Sequence, residues 1–248
     1  MRVVLVLLLV VGCGDNLPPD RSQNLALHDE IFASDGDRGV LCAANGDDHG
    51  YPIWGIRAAL DRARDRGEIA QLFVHDPGGT ISRAKLEAIL WGAADRGLRF
   101  VTYRELADGA TRGPGLALGF DDWSVDDWGA ARDLIDKYSA HVTFFAARYP
   151  EYTAAQKETL HAFVDDGSDV EYHGTYHLDA VSYVDQNGMA PYLSVEIAPG
   201  LAAMRADGFD PIVFAYPAGL RTPELDSVLL EQFAAVRATT LHCPHGDE

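Results

Sequence analysis

Two histidines stand four residues apart in EYHGTYHLDA (171–180), directly after a short segment of strand-like composition. At that spacing His173 and His177 would share one face of a helical turn, which is about the reach needed to grip one metal ion. Surface histidines at this spacing are also common in proteins that bind no metal. The pair alone therefore leaves two interpretations open, a metal site or two surface side chains.

Two adjacent aspartates occur in GLALGFDDWSVDDW (115–128), where an apolar run of strand length ends. Asp121 and Asp122 would repel each other and lose solvation there, so a cation or a shared proton is expected beside them. The alternative is that they are solvated acids at the start of a helix. One carboxylate with two imidazoles forms a facial ligand set for a divalent ion, and the second aspartate would take a proton from water.

Three segments together resemble the motifs of the NodB-like polysaccharide deacetylases, carbohydrate esterase family 4. They are FDD (120–122), HGTYH (173–177) and FAYPAG (214–219). The resemblance implies that the catalytic base is Asp121 and that the metal ligands are Asp122, His173 and His177. It also implies that Ala218 donates its backbone N–H to the oxyanion. The family often has tyrosine at that position, but a backbone donor does not require a particular side chain.

The order of the remaining motifs differs from the usual order in that family. Ala215 stands where many members carry an arginine that steadies the catalytic aspartate, and no histidine-bearing strand follows FAYPAG. A strand ending in His-Asp, then a helix and a strand, instead precedes FDD, within residues 69–106. This resembles the circularly permuted poly-N-acetylglucosamine deacetylases and implies that His75 is the general acid that protonates the departing nitrogen. Asp47 or Asp48 would either orient His75 or belong to a solvated turn.

Apolar runs of strand length alternate with helical patterns from about residue 38 onward. The candidate strands are 39–43, 69–74, 100–103, 116–120, 142–146, 170–172, 212–216 and 234–239, and the candidate helices are 56–66, 82–96, 126–138, 154–166, 193–207 and 224–233. This alternation predicts a parallel sheet covered by helices, either a closed barrel or a doubly wound sheet. The family resemblance implies an α/β fold of the distorted (β/α)7 barrel type, as one domain over residues 38–248.

The amino terminus has the pattern of an export signal. A single arginine precedes a short apolar run in MRVVLVLLLVVGCG, and the run ends at a glycine and Cys13 as in a bacterial lipobox. We expect a signal peptide over residues 1–12, a lipidated Cys13, and a flexible tether to residue 37. The alternative is an ordinary secretory signal with an incidental cysteine. In an exported protein Cys42 and Cys243 would form a disulfide or remain two buried thiols.

Composition narrows the classes of function. The 248-residue chain has 38 acidic and 20 basic residues, a net charge of −18, and such a field repels the phosphates of nucleic acids. The resemblance to the polysaccharide deacetylases implies a metal-dependent hydrolase that removes acetyl groups from an N-acetylated polysaccharide. Zn²⁺ is the expected ion, with Co²⁺ or Ni²⁺ as alternatives. The other candidate functions are an O-acetyl esterase or non-sugar amidase on this scaffold, or a catalytically lapsed glycan-binding lipoprotein.

The expected location is the bacterial cell envelope, on its periplasmic or outer-membrane face. The expected partners are the acetylated glycan and, through Cys13, the membrane. No feature of the sequence indicates an oligomeric state.

Overall fold

Nine strands form one sheet in the computed structural model, which describes residues 20–33, 39–109 and 113–243. They are β1 Phe32–Ala33, β2 Val40–Asn45, β3 Ile69–Val74, β4 Arg99–Val101, β5 Gly115–Asp122, β6 Thr143–Ala146, β7 Asp169–Tyr172, β8 Val213–Ala215 and β9 Ala235–Thr239. All eight strands predicted from the sequence occur, each within two residues of its predicted ends. The two-residue β1, which pairs antiparallel with β3, was not predicted.

Seven of these strands close into a parallel barrel in the order β3, β2, β9, β8, β7, β6, β5 and back to β3. Closure comes from β3 and β5, which pair in register over residues 69–74 and 115–120. On its other edge β5 pairs first with β4 and then with β6. The barrel is uneven, because β7 and β8 share a single residue pair. The expected (β/α)7 barrel is confirmed, and the strand that ends before His75 lies directly beside the strand that carries the two aspartates.

Helices cover the outside of the barrel. They are α1 Ile53–Arg66, α2 Arg83–Asp95, α3 Tyr103–Asp108, α4 Val125–Ala130, α5 Arg132–Lys137, α6 Ala154–Asp165, α7 Ala180–Asn187, α8 Met189–Tyr192, α9 Ala198–Ala206 and α10 Pro223–Leu229. Local signals fix several ends: the Ser82 hydroxyl caps α2, and α1 ends at the left-handed Gly67. The helix predicted over 126–138 is divided at Ala131. A single π-helical turn, Leu193–Ile197, joins α8 to α9.

Alternate side chains of each strand face opposite sides of the barrel wall, so two apolar layers result. On β3, Leu72 and Val74 pack in the layer against the helices, whereas Ile69 and Phe73 belong to the inner layer. Helix α3 closes the amino-terminal end of the interior, where Tyr103 is fully buried and its hydroxyl donates to the Leu72 carbonyl. The carboxyl ends of the strands are left as the open end of the barrel.

The segment before the barrel packs against it where the structure describes it. Residues 20–33 form three short 3₁₀ turns and β1, and Leu25, Ile31 and Phe32 are buried. This differs from the flexible tether predicted over residues 13–37, and the reason is that these apolar side chains bury themselves against the barrel. The predicted signal peptide and Cys13 lie outside the described residues. Within the described ranges, no helix combines the length and apolar character needed to cross a membrane.

A disulfide joins Cys42 on β2 to Cys243 just after β9, with 6.0 Å between the Cα atoms. Because β2 and β9 are paired neighbours, the bond fastens the carboxyl-terminal segment to the barrel wall across 201 residues of sequence. The sequence left a disulfide and two free thiols as alternatives, and the structure has the disulfide.

Candidate active site

One cavity of about 510 Å³ lies at the open end of the barrel. All six site residues predicted from the sequence line it: His75, Asp121, Asp122, His173, His177 and Ala218. Its other walls are Gln23, Asn45, His49, Gly50, Tyr51, Phe73, Tyr216, Gly219, Arg237, Thr239, Thr240 and Leu241. Parallel strands bring their carboxyl ends to one face, which explains how residues far apart in sequence meet here.

The three predicted metal ligands form one cluster. Ligand atoms of Asp122, His173 and His177 all lie within 4.8 Å of one another. Asp122 Oδ1 is 3.0 Å from His177 Nε2 and 3.5 Å from His173 Nε2. His173 Nδ1 lies 2.8 Å from the Ala215 carbonyl, an acceptor that fixes the proton on Nδ1 and leaves the Nε2 lone pair facing the cluster. This donor set and tautomer fit a divalent cation.

Electrostatics favour the charged form of Asp122. Burial by itself would raise the pKa of its carboxyl group, but hydrogen bonds with His173 and His177 and the charges of His173 and His75 hold the pKa well below its usual range. An anionic oxygen therefore faces the two imidazole nitrogens, as cation binding requires.

The two histidines do not share a helical turn, so that part of the sequence interpretation is wrong. Residues 173–179 are not helical, Gly174 has φ +94°, and His177 itself has φ +62°. A left-handed backbone at these points folds the segment into a loop that turns both rings toward Asp122. The four-residue spacing thus led to the correct pair through an incorrect local structure.

Asp121 is held by an arginine that the sequence interpretation missed. Arg237 Nη2 on β9 lies 2.5 Å from Asp121 Oδ2, and both side chains are almost completely buried. The guanidinium also stacks over Phe73 and Phe145, at 5.0 and 4.9 Å from the ring centroids. Asp121 Oδ1 is buried without a hydrogen-bond partner among the described residues, so this oxygen is available to accept a proton.

The signal that points to Arg237 is a lone cation inside an apolar strand, AVRAT. A charge in such a strand needs a buried partner. Many members of the resembling family carry an arginine at the position of Ala215, where it steadies the aspartate. In this chain Arg237 contacts the aspartate instead, from the neighbouring strand.

His75 is oriented by Asp47, which decides between the two alternatives for that acidic turn. Asp47 Oδ2 lies 2.5 Å from His75 Nδ1, and Oδ1 accepts the His75 backbone N–H at 3.1 Å. Burial tends to lower the pKa of His75, but the Asp47 hydrogen bond and the charges of Asp121, Asp47 and Asp122 raise it to about 9. Asp48 instead accepts from the Ser82 hydroxyl and N–H at the start of α2.

Ala218 lies in a tight turn that exposes its backbone to the cavity. Its φ of +58° is left-handed, a conformation that costs a non-glycine residue roughly 1–2 kcal/mol. Asp226, buried on α10, accepts the Tyr216 hydroxyl at 2.8 Å and pairs with Arg221, so it ties both ends of the turn to the helix. The surrounding structure therefore holds the strained turn in place.

Trp123 directly follows the two aspartates in the sequence. Its side chain is 39% exposed, and its ring centroid lies 5.4 Å from that of the His177 ring in an edge-to-face arrangement. The Arg148 guanidinium covers one face at 4.3 Å. Trp123 is therefore a partly exposed aromatic side chain beside the metal-ligand cluster.

Comparisons with known proteins agree with this geometry. The polysaccharide deacetylase family model matches residues 108–232, which is half of the chain. Among solved structures the chain is similar to IcaB from Ammonifex degensii, at 23% identity with a TM-score of 0.56, covering 73% of this chain and 88% of that one. It is also similar to the Streptococcus pyogenes deacetylase PplD in complex with acetate, at 16% identity and TM-score 0.55, covering 69% and 91%. No curated protein sequence matches significantly.

Proposed function

This chain belongs to the polysaccharide deacetylase family, and from that premise we propose that it is a metal-dependent hydrolase of N-acetylated polysaccharide. The single observation that carries the proposal is the convergence of Asp121, His75 and the Asp122–His173–His177 cluster in one open cavity. The family supports deacetylation in general. The cluster supports metal dependence, and the polymeric substrate is inferred from both.

Asp122, His173 and His177 would hold the cation, with Zn²⁺ expected and Co²⁺ or Ni²⁺ as alternatives. Such an ion when bound acts as a Lewis acid that polarises the acetyl carbonyl and makes water more acidic. The His173 tautomer suits this role, because the Ala215 carbonyl keeps the other ring nitrogen protonated.

The remaining groups divide the proton transfers of amide hydrolysis. Asp121 Oδ1 accepts a proton from the attacking water, while Arg237 holds the other carboxylate oxygen in place. The Ala218 N–H donates to the carbonyl oxygen as negative charge develops on it. When the C–N bond breaks, His75 gives its proton to the departing nitrogen. The products are acetate and an amine, and Asp47 stabilises the imidazolium before the transfer.

The experiment that tests the proposal is substitution Asp121→Asn, which keeps the shape of the side chain and removes its basicity. We expect acetate release from N-acetylated chitooligosaccharides and from peptidoglycan to fall to background, while the bound metal measured by elemental analysis stays near one ion per chain. Acetate release that persists in Asp121→Asn would show that Asp121 is not the base. A wild-type protein that binds sugar without metal or acetate release would favour a lapsed glycan-binding protein.

We further propose that the protein is exported and anchored to the cell envelope through a lipidated Cys13. The Cys42–Cys243 disulfide supports export, because structural disulfides form in oxidising compartments. Detergent phase partitioning of the wild type and of Cys13→Ala tests the anchor. We expect the wild type in the detergent phase and the variant in the aqueous phase, and equal partitioning would contradict lipidation.

A further inference from the structure

Glu196 is a fully buried carboxylate that contacts the loop between the two histidines, although sequence reasoning gave it no role. Its Oε2 accepts the Tyr176 backbone N–H and its Oε1 accepts the Leu178 backbone N–H, both at 2.8 Å. These are the residues on either side of His177. One carboxylate thus grips the backbone on both flanks of a side chain in the metal-ligand cluster.

The backbone of Glu196 holds the same loop. Its carbonyl accepts the Thr175 N–H at 2.9 Å, the Thr175 hydroxyl at 2.8 Å and the Tyr172 hydroxyl at 2.6 Å. In a regular α-helix this carbonyl would accept the Gly200 N–H, which here donates to the Thr175 hydroxyl at 2.9 Å. The loop therefore takes the place of the backbone hydrogen bond that would join the Glu196 carbonyl to the Gly200 N–H in a regular helix.

The sequence LSVEIAPG (193–200) explains why the helix opens at this point. Pro199 has no N–H, so the carbonyl four residues before it lacks its usual partner, and the turn Leu193–Ile197 becomes a π-helix. Space is also tight on the loop side. A Cβ atom added to Gly174 would lie 2.1 Å from Glu196 Oε1, and one added to Gly200 would lie 2.6 Å from the Tyr172 hydroxyl.

We propose that Glu196 is a positioning residue that fixes the left-handed backbone of His177 and thereby sets the affinity of the site for its cation. This rests on the proposed function only in taking Asp122, His173 and His177 as the ligands. Without the carboxylate, two N–H groups that flank His177 lose their acceptors, and the loop relaxes away from the geometry in which its imidazole meets Asp122. Partners that orient metal ligands typically change metal affinity 10–100-fold when they are replaced.

The test is substitution Glu196→Gln, which keeps the size of the side chain but leaves only one oxygen to accept from two N–H groups. The dissociation constant for Zn²⁺ is measured on the metal-free protein by competition with a chromophoric chelator, with thermal unfolding of the metal-free protein alongside. We expect the Zn²⁺ dissociation constant to rise 10–100-fold. Thr175→Val removes the inserted hydroxyl and should raise the Zn²⁺ dissociation constant by a smaller factor. This variant serves as the test if Glu196→Gln does not fold.

Glu171→Gln is the matched control. Glu171 is also fully buried, and its Oε2 accepts two backbone N–H groups, those of Ile212 and Val213, at 2.7 Å. We expect this control to lower the unfolding temperature while leaving the Zn²⁺ dissociation constant within threefold of wild type. An unchanged dissociation constant in Glu196→Gln, or equal increases in Glu196→Gln and Glu171→Gln, would overturn the proposal. A wild type without Zn²⁺ affinity would instead overturn the proposed metal site itself.

Discussion

Each end of the barrel interior contains a buried carboxylate paired with an arginine, and the surroundings of the two pairs differ. At the open end Asp121 pairs with Arg237, and at the closed end Glu171 pairs with Arg104 at 3.0 Å. One Glu171 oxygen also accepts two backbone N–H groups, and Glu171 does not line the cavity. Asp121 lines the cavity and keeps one oxygen without a protein partner among the described residues. Access to the cavity, more than the pairing itself, therefore distinguishes Asp121, the proposed base, from Glu171.

The protonation of Glu171 fits a structural role. Burial and the nearby Asp169 raise the pKa of Glu171 well above its ordinary range, and Arg104 opposes this only in part. Such a group is suited to holding backbone N–H groups rather than to accepting protons from water. At the open end, Asp121 contacts Arg237 instead of backbone N–H groups.

The largest effect should come from replacing His75, the proposed proton donor at the open end of the barrel. In His75→Gln we expect kcat/KM for an N-acetyl substrate to fall roughly 10²–10⁴-fold, the usual contribution of a general acid. An O-acetyl or aryl acetate ester should lose much less, because an alkoxide or phenolate leaves with less need for a proton. Assays of the amide and the ester substrate with wild type and variant check this prediction. Equal losses of kcat/KM on both substrates would show that His75 is not the general acid.

The second largest effect is expected when the arginine of the open-end pair is replaced, and the arginine of the closed-end pair provides the comparison. Arg237→Met leaves a buried carboxylate without its counter-charge, which costs roughly 3–5 kcal/mol of unfolding free energy. Because Asp121 also loses its orientation, kcat/KM should fall on the order of 10²-fold. Arg104→Met is the matched control: Arg104 is 31% exposed, so a smaller loss of stability and near-normal kcat/KM are expected. Urea unfolding with steady-state kinetics measures both, and equal kinetic losses would show that the two pairs are equivalent.

The sequence predicted the strands and most of the site because both depend on local patterns. Apolar runs located all eight predicted strands to within two residues, and motif residues that follow strand ends converge in any parallel barrel. His75 also lines the same cavity as Asp121 despite its position before FDD in the chain, because β3 and β5 are neighbours. The order of motifs along the chain therefore matters less than the order of strands around the barrel.

The parts that sequence reasoning missed depend on contacts between distant segments. Arg237 pairs with Asp121 across 116 residues of sequence, and no local pattern fixes which strand meets which. Glu196 lies in a π-helical turn, and its side-chain carboxylate accepts the backbone N–H of Tyr176, 20 residues earlier in the chain. The helical turn assigned to His173 and His177 failed for a related reason, since the left-handed backbone of His177 is stabilised by these long-range bonds rather than by its own sequence.

A smaller effect is expected from Asp47→Asn, because this substitution changes the surroundings of His75 without removing a reacting group. The Asp47 carboxylate helps to raise the pKa of His75 to about 9, so the imidazole stays protonated to higher pH. The uncharged asparagine side chain of the variant cannot supply that negative charge. We expect the basic limb of the kcat/KM profile to move to lower pH by about one to two units. A bound cation would lower the His75 pKa in both proteins, so the measured quantity is the difference between the two pH profiles.

The smallest effect on chemistry should come from the double substitution of Cys42 and Cys243 to serine. The disulfide fastens the segment that contains Thr240 and Leu241, which forms one wall of the cavity but supplies none of the proposed proton transfers. Loss of such a bond costs about 2–5 kcal/mol of stability. We expect KM for an oligosaccharide to rise a few-fold at nearly constant kcat, because the loosened wall affects binding more than catalysis. A fall in kcat as large as that in Arg237→Met would instead connect this wall to the reacting groups.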